Sequence, residues 1–116
     1  MAAKADPHRF DDLFAAFGPV RLRRMFGGEG VFVGRQIIGL VMEERIFFKT
    51  DEATRAAYLA ERCKPFGFNK GGKYIETSYY AVPERLYDEP EEFGAWARKA
   101  HDAARSKPKP KKKNRK

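Results

Sequence analysis

Between Val20 and Lys49 the chain has no helical period, only short apolar runs cut by turn signals, and this stretch limits most what the chain can fold into. Val20 and Leu22 alternate with Arg21 and Arg23, which gives a strand with one apolar and one cationic face. Arg24 interrupts the alternation before Met25-Phe26 and predicts a bulge or the end of pairing there. Gly27-Gly28-Glu29-Gly30 reads as a tight connection into Val31-Phe32-Val33, and Gly34-Arg35 as a two-residue hairpin loop with glycine at its first central position. Ile37 to Met42 is almost continuously apolar, as in a central strand covered on both faces. Glu43-Glu44 then separates it from Arg45 to Lys49. The prediction is an antiparallel meander of three or four strands.

Helical signals flank this meander. Asp6-Pro7 reads as an N-cap with a first-turn proline, and Phe10, Leu13, Phe14 and Phe17 recur on one helical face until Gly18-Pro19 stops them. Thr50 or Asp51 caps a second helix whose core face is Ala56, Leu59, Ala60 and Cys63, small residues that imply close packing on the sheet. Phe66 and Phe68 form a short strand, Lys70-Gly71-Gly72-Lys73 a loop, and Tyr74 to Val82 a returning strand with Ile75, Thr77 and Tyr79 opposed to Glu76, Ser78 and Tyr80. Pro83 to Tyr87 makes one helical turn. Asp88 caps a last helix with Phe93, Trp96, Ala97, Ala100 and Ala104 on its core face and His101 on its polar side. The fold class is therefore α+β: an antiparallel sheet of about five to six strands, a meander plus a second hairpin, with N-terminal, middle and C-terminal helices packed on it.

Charge divides the chain more sharply than pattern does. All 16 Asp+Glu lie before residue 105, together with 16 of the 24 Lys+Arg. The formal net charge of +8 thus belongs to Arg105, Lys107, Lys109, Lys111, Lys112, Lys113, Arg115 and Lys116. With no apolar residue but two prolines from Ser106 onward, nothing offsets the entropy of ordering that segment. The reading is a domain over 1–104 and a disordered basic tail over 105–116. An extended polycation neutralises phosphates with release of counterions, so the tail is the candidate for non-specific, salt-dependent binding of DNA or RNA, with a plain solubilising terminus as its alternative.

Met25-Phe26-Gly27-Gly28 opening a meander, Phe47-Phe48-Lys49-Thr50-Asp51 leading into a helix, Pro65-Phe66, and Ser78-Tyr79-Tyr80 followed by Val82-Pro83 resemble, in order and spacing, the N-terminal domain of the TfoX family of bacterial competence regulators. The resemblance spans roughly residues 8–104. It implies an α+β domain with helices on an antiparallel sheet and no known catalytic activity. Full-length members that promote competence genes, working with the cyclic-AMP receptor protein, carry a second helical domain where this chain has residues 105–116. The chain thus looks like a stand-alone N-terminal domain with a basic extension.

Chemistry-bearing motifs are few. Gly27-Gly28-Glu29-Gly30 invites a phosphate cradle, yet a P-loop or dinucleotide fingerprint needs a helix after the glycines, and here strands stand on both sides; an anion or small-molecule site near Gly27-Gly28 is the alternative function. Lys70 and Lys73 flank a glycine loop that is either an ordinary hairpin turn or a phosphate contact. Arg21, Arg23, Arg35 and Arg45 form either a solvated sheet face or a stripe that meets an anionic partner. Tyr74, Tyr79 and Tyr80 are cross-strand packing or stacking platforms. The only cysteine, Cys63, excludes an internal disulfide and reads as an inert small hydrophobe. His8 and His101 give neither metal-ligand spacing nor a catalytic constellation with a nucleophile. The expected function is a non-enzymatic regulatory or adaptor domain in the cytoplasm. It is expected to use no metal or cofactor and no membrane, and to have nucleic acid and a protein such as a transcription factor as partners.

Overall fold

Six strands form one antiparallel sheet: β1 (Arg21–Met25), β2 (Gly28–Val33), β3 (Gln36–Met42), β4 (Arg45–Lys49), β5 (Pro65–Lys70) and β6 (Lys73–Ala81). The spatial order is β1-β2-β3-β4-β6-β5. A helix, α1 (Glu52–Ala60), joins β4 to β5, and a 3₁₀ turn (Glu84–Asp88) leads from β6 into α2 (Pro90–Arg105). The computed structural model describes Asp6, residues 8–25 and residues 27–105. Residues 106–116, which hold all of the expected tail cations except Arg105, lie outside the described residues. No helix among those described is long and apolar enough to cross a membrane.

Turn chemistry sets the hairpins as the sequence predicts. Val33 pairs with Gln36, so Gly34-Arg35 is a two-residue loop, with Gly34 at a φ of 59°. Lys70 pairs with Lys73 around Gly71 and Gly72, whose φ values of 57° and 81° suit only a residue without Cβ at low cost. Glu43 and Glu44 adopt the same positive-φ turn, at 53° and 63°, without the help of glycine. Glu44 is held there by Arg9, whose Nε donates to Glu44 Oε1 at 2.9 Å. Arg9 also pairs with Glu29 of β2, so one guanidinium ties the N-terminal segment to two points of the meander.

The core lies on one side of the sheet. Val31, Ile38, Val41, Ile46 and Phe48 from the strands meet Phe14, Tyr58, Leu86, Phe93, Ala97 and Ala100 in one buried cluster. Phe14 stacks edge-on against Phe93 at 4.9 Å and Phe48 at 6.1 Å, and Tyr58 edge-on against Trp96 at 4.7 Å. Rings in this arrangement add roughly 0.5–1.5 kcal/mol per pair beyond burial.

Several expectations are corrected. Residues 8–17 form consecutive turns rather than a regular helix, because Asp11, Ala15 and Phe17 donate to the residue three back while Phe14 and Gly18 donate four back. The face is as read, with Phe14 buried and Phe10, Leu13 and Phe17 packed on the core, and the segment docks closely on α2. At Gly94 of α2 an added Cβ would meet Ala16 Cβ at 2.9 Å. Of the two expected caps of α1, Asp51 is the one used, with Thr54 completing a reciprocal box, but that helix docks through Tyr58 instead of Ala56, Leu59 and Ala60. Leu59 is 56% exposed. Asp88 closes the 3₁₀ turn, and α2 begins two residues later at Pro90. His101 is half-buried, its ring edge-on to Phe17 at 5.9 Å, and so is not on a purely polar side.

Of the two outcomes expected after Arg24, the end of pairing is the one observed, since β1 ends at Met25. β1 pairs with β2 without a shift through Arg24 and Met25. One irregularity falls between Pro65 and Gly67 of β5, and the other between β2 and β3, where Val31 pairs with Gly39 but Phe32 with Ile37, leaving Ile38 as an extra residue. Ile38 and Val41 therefore both enter the helix-side core, while Ile37 and Leu40, three apart, share the opposite face. β3 is central, but only one of its faces is covered by helices. The other forms the candidate site.

Candidate binding face of the sheet

The side of the sheet away from the helices is concave. Met25 of the edge strand β1 and Phe66 and Phe68 of the opposite edge strand β5 line one cavity of about 590 Å³, together with Ile37, Leu40, Thr77 and Tyr79. Six flat strands would span roughly 24 Å, so residues from both edges share a cavity only because the sheet curls. Leu40 forms the floor and is only 3% exposed, although no described helix covers it.

Glycine makes the concavity possible. Gly28 and Gly30, expected in a connection, are residues of β2; Met25 pairs with Gly28, and of the four only Gly27, at φ 79°, stands in the turn. A Cβ on Gly30 would lie 2.5 Å from Met25 Sδ, 2.8 Å from Phe32 Cε1 and 3.1 Å from Ile37 Cδ1, so these three side chains converge over a bare backbone. A Cβ on Gly28 would strike the Val41 carbonyl oxygen at 2.2 Å and Met42 Sδ at 2.5 Å. The space above Gly28 is thus already occupied by protein.

Register places the rest of the face. One cross-strand row runs Arg21, Phe32, Ile37, and the next Arg23, Gly30, Leu40, Phe47. Lys49 pairs with Tyr79, and at the far hairpin Phe68 pairs with Ile75 and Lys70 with Lys73. Phe47 packs edge-on against Phe66 at 5.6 Å, and Phe66 stacks on Phe68 at 6.3 Å. The Arg23 guanidinium lies 5.5 Å from the Phe32 ring and the Lys49 ammonium 5.5 Å from the Tyr79 ring, so aromatic faces hold both cations at the border of the apolar floor. Lys49 also donates to Ser78 Oγ at 2.8 Å. Burial raises the Tyr79 hydroxyl pKa and keeps it protonated. The Thr77 hydroxyl is spent on the Phe66 carbonyl at 2.8 Å.

The charge is one-sided. The strands carry only two carboxylates, Glu29 and Glu76, and both stand on the helix side: Glu29 is opposite the core residue Val41 and paired with Arg9, and Glu76 is opposite Gly67. Arg21, Arg23, Lys49, Lys70 and Lys73 all belong to the open face. Arg24, next in sequence to Arg23, lies opposite Glu29 on the other side. The step in alternation at Met25 is thus an apolar residue joining the arginine face, where it helps line the cavity.

Of the expected site residues, the structure brings Arg21, Arg23, Lys70 and Lys73 onto one face. Arg35 is in a turn, and Arg45 begins β4 at the border of a second, more polar cleft that also includes Glu61, Cys63, Arg85 and Tyr87. Arg105 is in the last turn of α2, paired with Asp102 at 2.8 Å, and so belongs to the folded body. The three tyrosines do not form one platform: Tyr80 packs against Tyr58 on the helix side, Tyr74 lies over Gly67, and only Tyr79 is on the open face. Sequence reasoning missed Met25, Ile37, Leu40, Phe47, Lys49, Phe66 and Phe68 as site residues. Their signal was the absence of any acid at the alternate positions that carry Arg21, Arg23, Lys49 and Lys73.

The second cleft is an ion-pair lattice. Arg85 binds Glu61, Glu89 and Glu92, and its two forked pairs, with Glu61 and Glu92, hold both carboxyls below the usual range, Glu92 down to about 2. Burial and then the Glu61 charge raise the Cys63 thiol, which disfavours the reactive thiolate. Among the described residues no three metal-binding side chains cluster.

The profile of the TfoX N-terminal domain matches residues 12–104. The chain belongs to the TfoX N-terminal domain family. The match covers every strand and both helices except the last residue of α2, so the curled sheet and its open face lie within the TfoX-type domain. No curated protein matches the chain in sequence.

Proposed function

We propose that this TfoX N-terminal domain is a non-enzymatic regulatory or adaptor module of the cytoplasm that docks a protein partner on its open sheet face, while residues 106–116 hold it near DNA or RNA. The observation that carries the reading is the acid-free rim of Arg21, Arg23, Lys49, Lys70 and Lys73 around an apolar floor that no described helix covers. An apolar surface rimmed by charged residues is a common mark of an interaction site. The seven cations of residues 106–116 supply the separate, sequence-independent attraction to phosphate.

Affinity capture from cells, with and without nuclease, tests the two surfaces. Deleting residues 106–116 is expected to remove the nuclease-sensitive fraction and leave the melting temperature unchanged. Reversing charge on the face, Arg23→Glu with Lys49→Glu, is expected to remove the nuclease-resistant fraction. Loss of both fractions in either variant would refute two separate surfaces. A second reading, a small-molecule binder, draws on the cavity volume, which falls in the ~300–1,000 Å³ range of ligand pockets. A thermal-shift panel of nucleotides and acidic metabolites tests it.

A further inference from the structure

We propose that the occupant of the open sheet face is an acidic amphipathic helix of a protein partner, its apolar stripe seated over Leu40 and its carboxylates on the cationic rim. The inference rests on the reading that this face docks a protein, and it names the chemistry of what docks.

Charge removes two occupants that the chain itself could supply. A second copy set face to face would oppose Arg21, Arg23, Lys49, Lys70 and Lys73 with the same five cations. Residues 106–116 hold seven Lys+Arg and no acid, so the chain's own extension is repelled in the same way. Complementarity requires an anion.

The floor then selects among anions. Its polar groups are the Thr77 hydroxyl, already donated to the Phe66 carbonyl, and the Tyr79 hydroxyl. A nucleobase sunk into this cavity would leave most of its donors and acceptors unpaired, and each such group loses its bonds to water without replacement. Hydrocarbon side chains carry no such cost. The distribution of cations selects further. They stand in β1, in β4 and at the β5–β6 hairpin tip, on both sides of the cavity, whereas an amphiphile with a single carboxylate engages one such point. A helix with leucine-type residues at i, i+3, i+4 and i+7 and acids along both flanks meets the floor and the separated cations together.

Titration of the purified full-length chain with synthetic peptides, followed by calorimetry and backbone amide NMR, tests the assignment. The probe is a short amphipathic helix of leucine and glutamate. Its controls are the same peptide with lysine for glutamate, the same with serine for leucine, an oligothymidylate and dodecanoate. The leucine–glutamate peptide is expected to bind with shifts at Leu40, Phe47, Phe68 and Tyr79, and to weaken as salt rises. Each peptide control is expected to bind at least about tenfold more weakly. Phe68→Ser, at a side chain already 42% exposed, and the double variant Arg23→Glu, Lys49→Glu are each expected to lower affinity about tenfold with the fold retained by melting temperature.

Equal binding of the lysine peptide would overturn the proposal. So would tighter binding of oligothymidylate or dodecanoate at the same amides, which would reassign the face to nucleic acid or to a small amphiphile. Absence of peptide binding would overturn it too. If cellular capture still depended on Arg23 and Lys49 in that case, docking would stand and only the partner's chemistry would fall.

Discussion

The two faces of this sheet are built from the same strands and solve opposite problems. On the helix side, Val31, Ile38, Val41, Ile46 and Phe48 are closed over by Phe14, Tyr58, Phe93 and the alanines of α2, and its strand carboxylate Glu29 has a cationic partner in Arg9. On the open side, Phe32, Phe47, Phe66 and Tyr79 are half-buried by one another and by curvature, and among the described residues no carboxylate pairs with a cation of that face. Burial by a second layer stabilises the fold. Burial by curvature leaves apolar surface open, and the two faces differ in charge as well: both strand carboxylates, Glu29 and Glu76, are on the helix side, and the open face has none.

The comparison breaks most visibly on aromatic truncation. Phe93→Ala should cost about 3–5 kcal/mol in chemical denaturation, since Phe93 is fully buried among three other rings. Phe68→Ser on the open face should cost under about 1 kcal/mol, as substitutions away from core features usually do. Equal costs would mean that the open face is a second core.

Two glycine substitutions sharpen the contrast. At Gly39 a new Cβ meets the Phe47 carbonyl oxygen at 2.5 Å, which is backbone, so Gly39→Ala should destabilise by about 1–3 kcal/mol. At Gly30 the nearest atoms are side-chain ends on Met25, Phe32 and Ile37, which swing aside. Gly30→Ala should therefore cost less while narrowing the cavity, and a weaker response to the acidic peptide would report that narrowing. Removing the α1 cap with Asp51→Ala should cost about 1 kcal/mol, and Asp51→Asn much less, by thermal denaturation.

Acid gives the smallest separation. Arg9 lowers Glu44, Arg85 lowers Glu61 and Glu92, and the Thr54 amide lowers Asp51, so each is more acidic folded than unfolded. Their contribution is complete above the ordinary carboxylate range and is lost as pH falls through about 4 toward about 2. All four lie off the open face. Carboxyl NMR titration should place Glu92 near 2, and Arg85→Ala should return it toward the ordinary range with little change in melting temperature.

Much of the fold was legible because its signals are local. Gly34-Arg35 and Lys70-Gly71-Gly72-Lys73 state their turns, and Phe93, Ala97 and Ala100 state the buried face of α2. What failed is non-local. Phe10, Leu13, Phe14 and Phe17 have the same spacing in successive mixed turns as in a helix, and only docking against Gly94 decides between them. Tyr58 won the core face of α1 from Ala56, Leu59 and Ala60 because Trp96 and Tyr80 stand ready to receive its ring. The open face was half legible: the arginines of β1 were read, but the continuous apolar run of β3 suggested cover on both sides. Whether a residue such as Leu40 is hidden by a helix or by its neighbours depends on curvature, and curvature belongs to several strands at once.

The extra residue at Ile38 changes what a length difference means in this domain. Without position 38, Ile37 and Gly39 would be consecutive and already on opposite faces, so every other side chain of β3 would keep its side. A deletion at this position therefore does not exchange core for surface. It sets how tightly the sheet bends, and thereby how wide the concavity is. The breadth of the open face then depends on the number of residues in β3 as well as on the identity of those that line it.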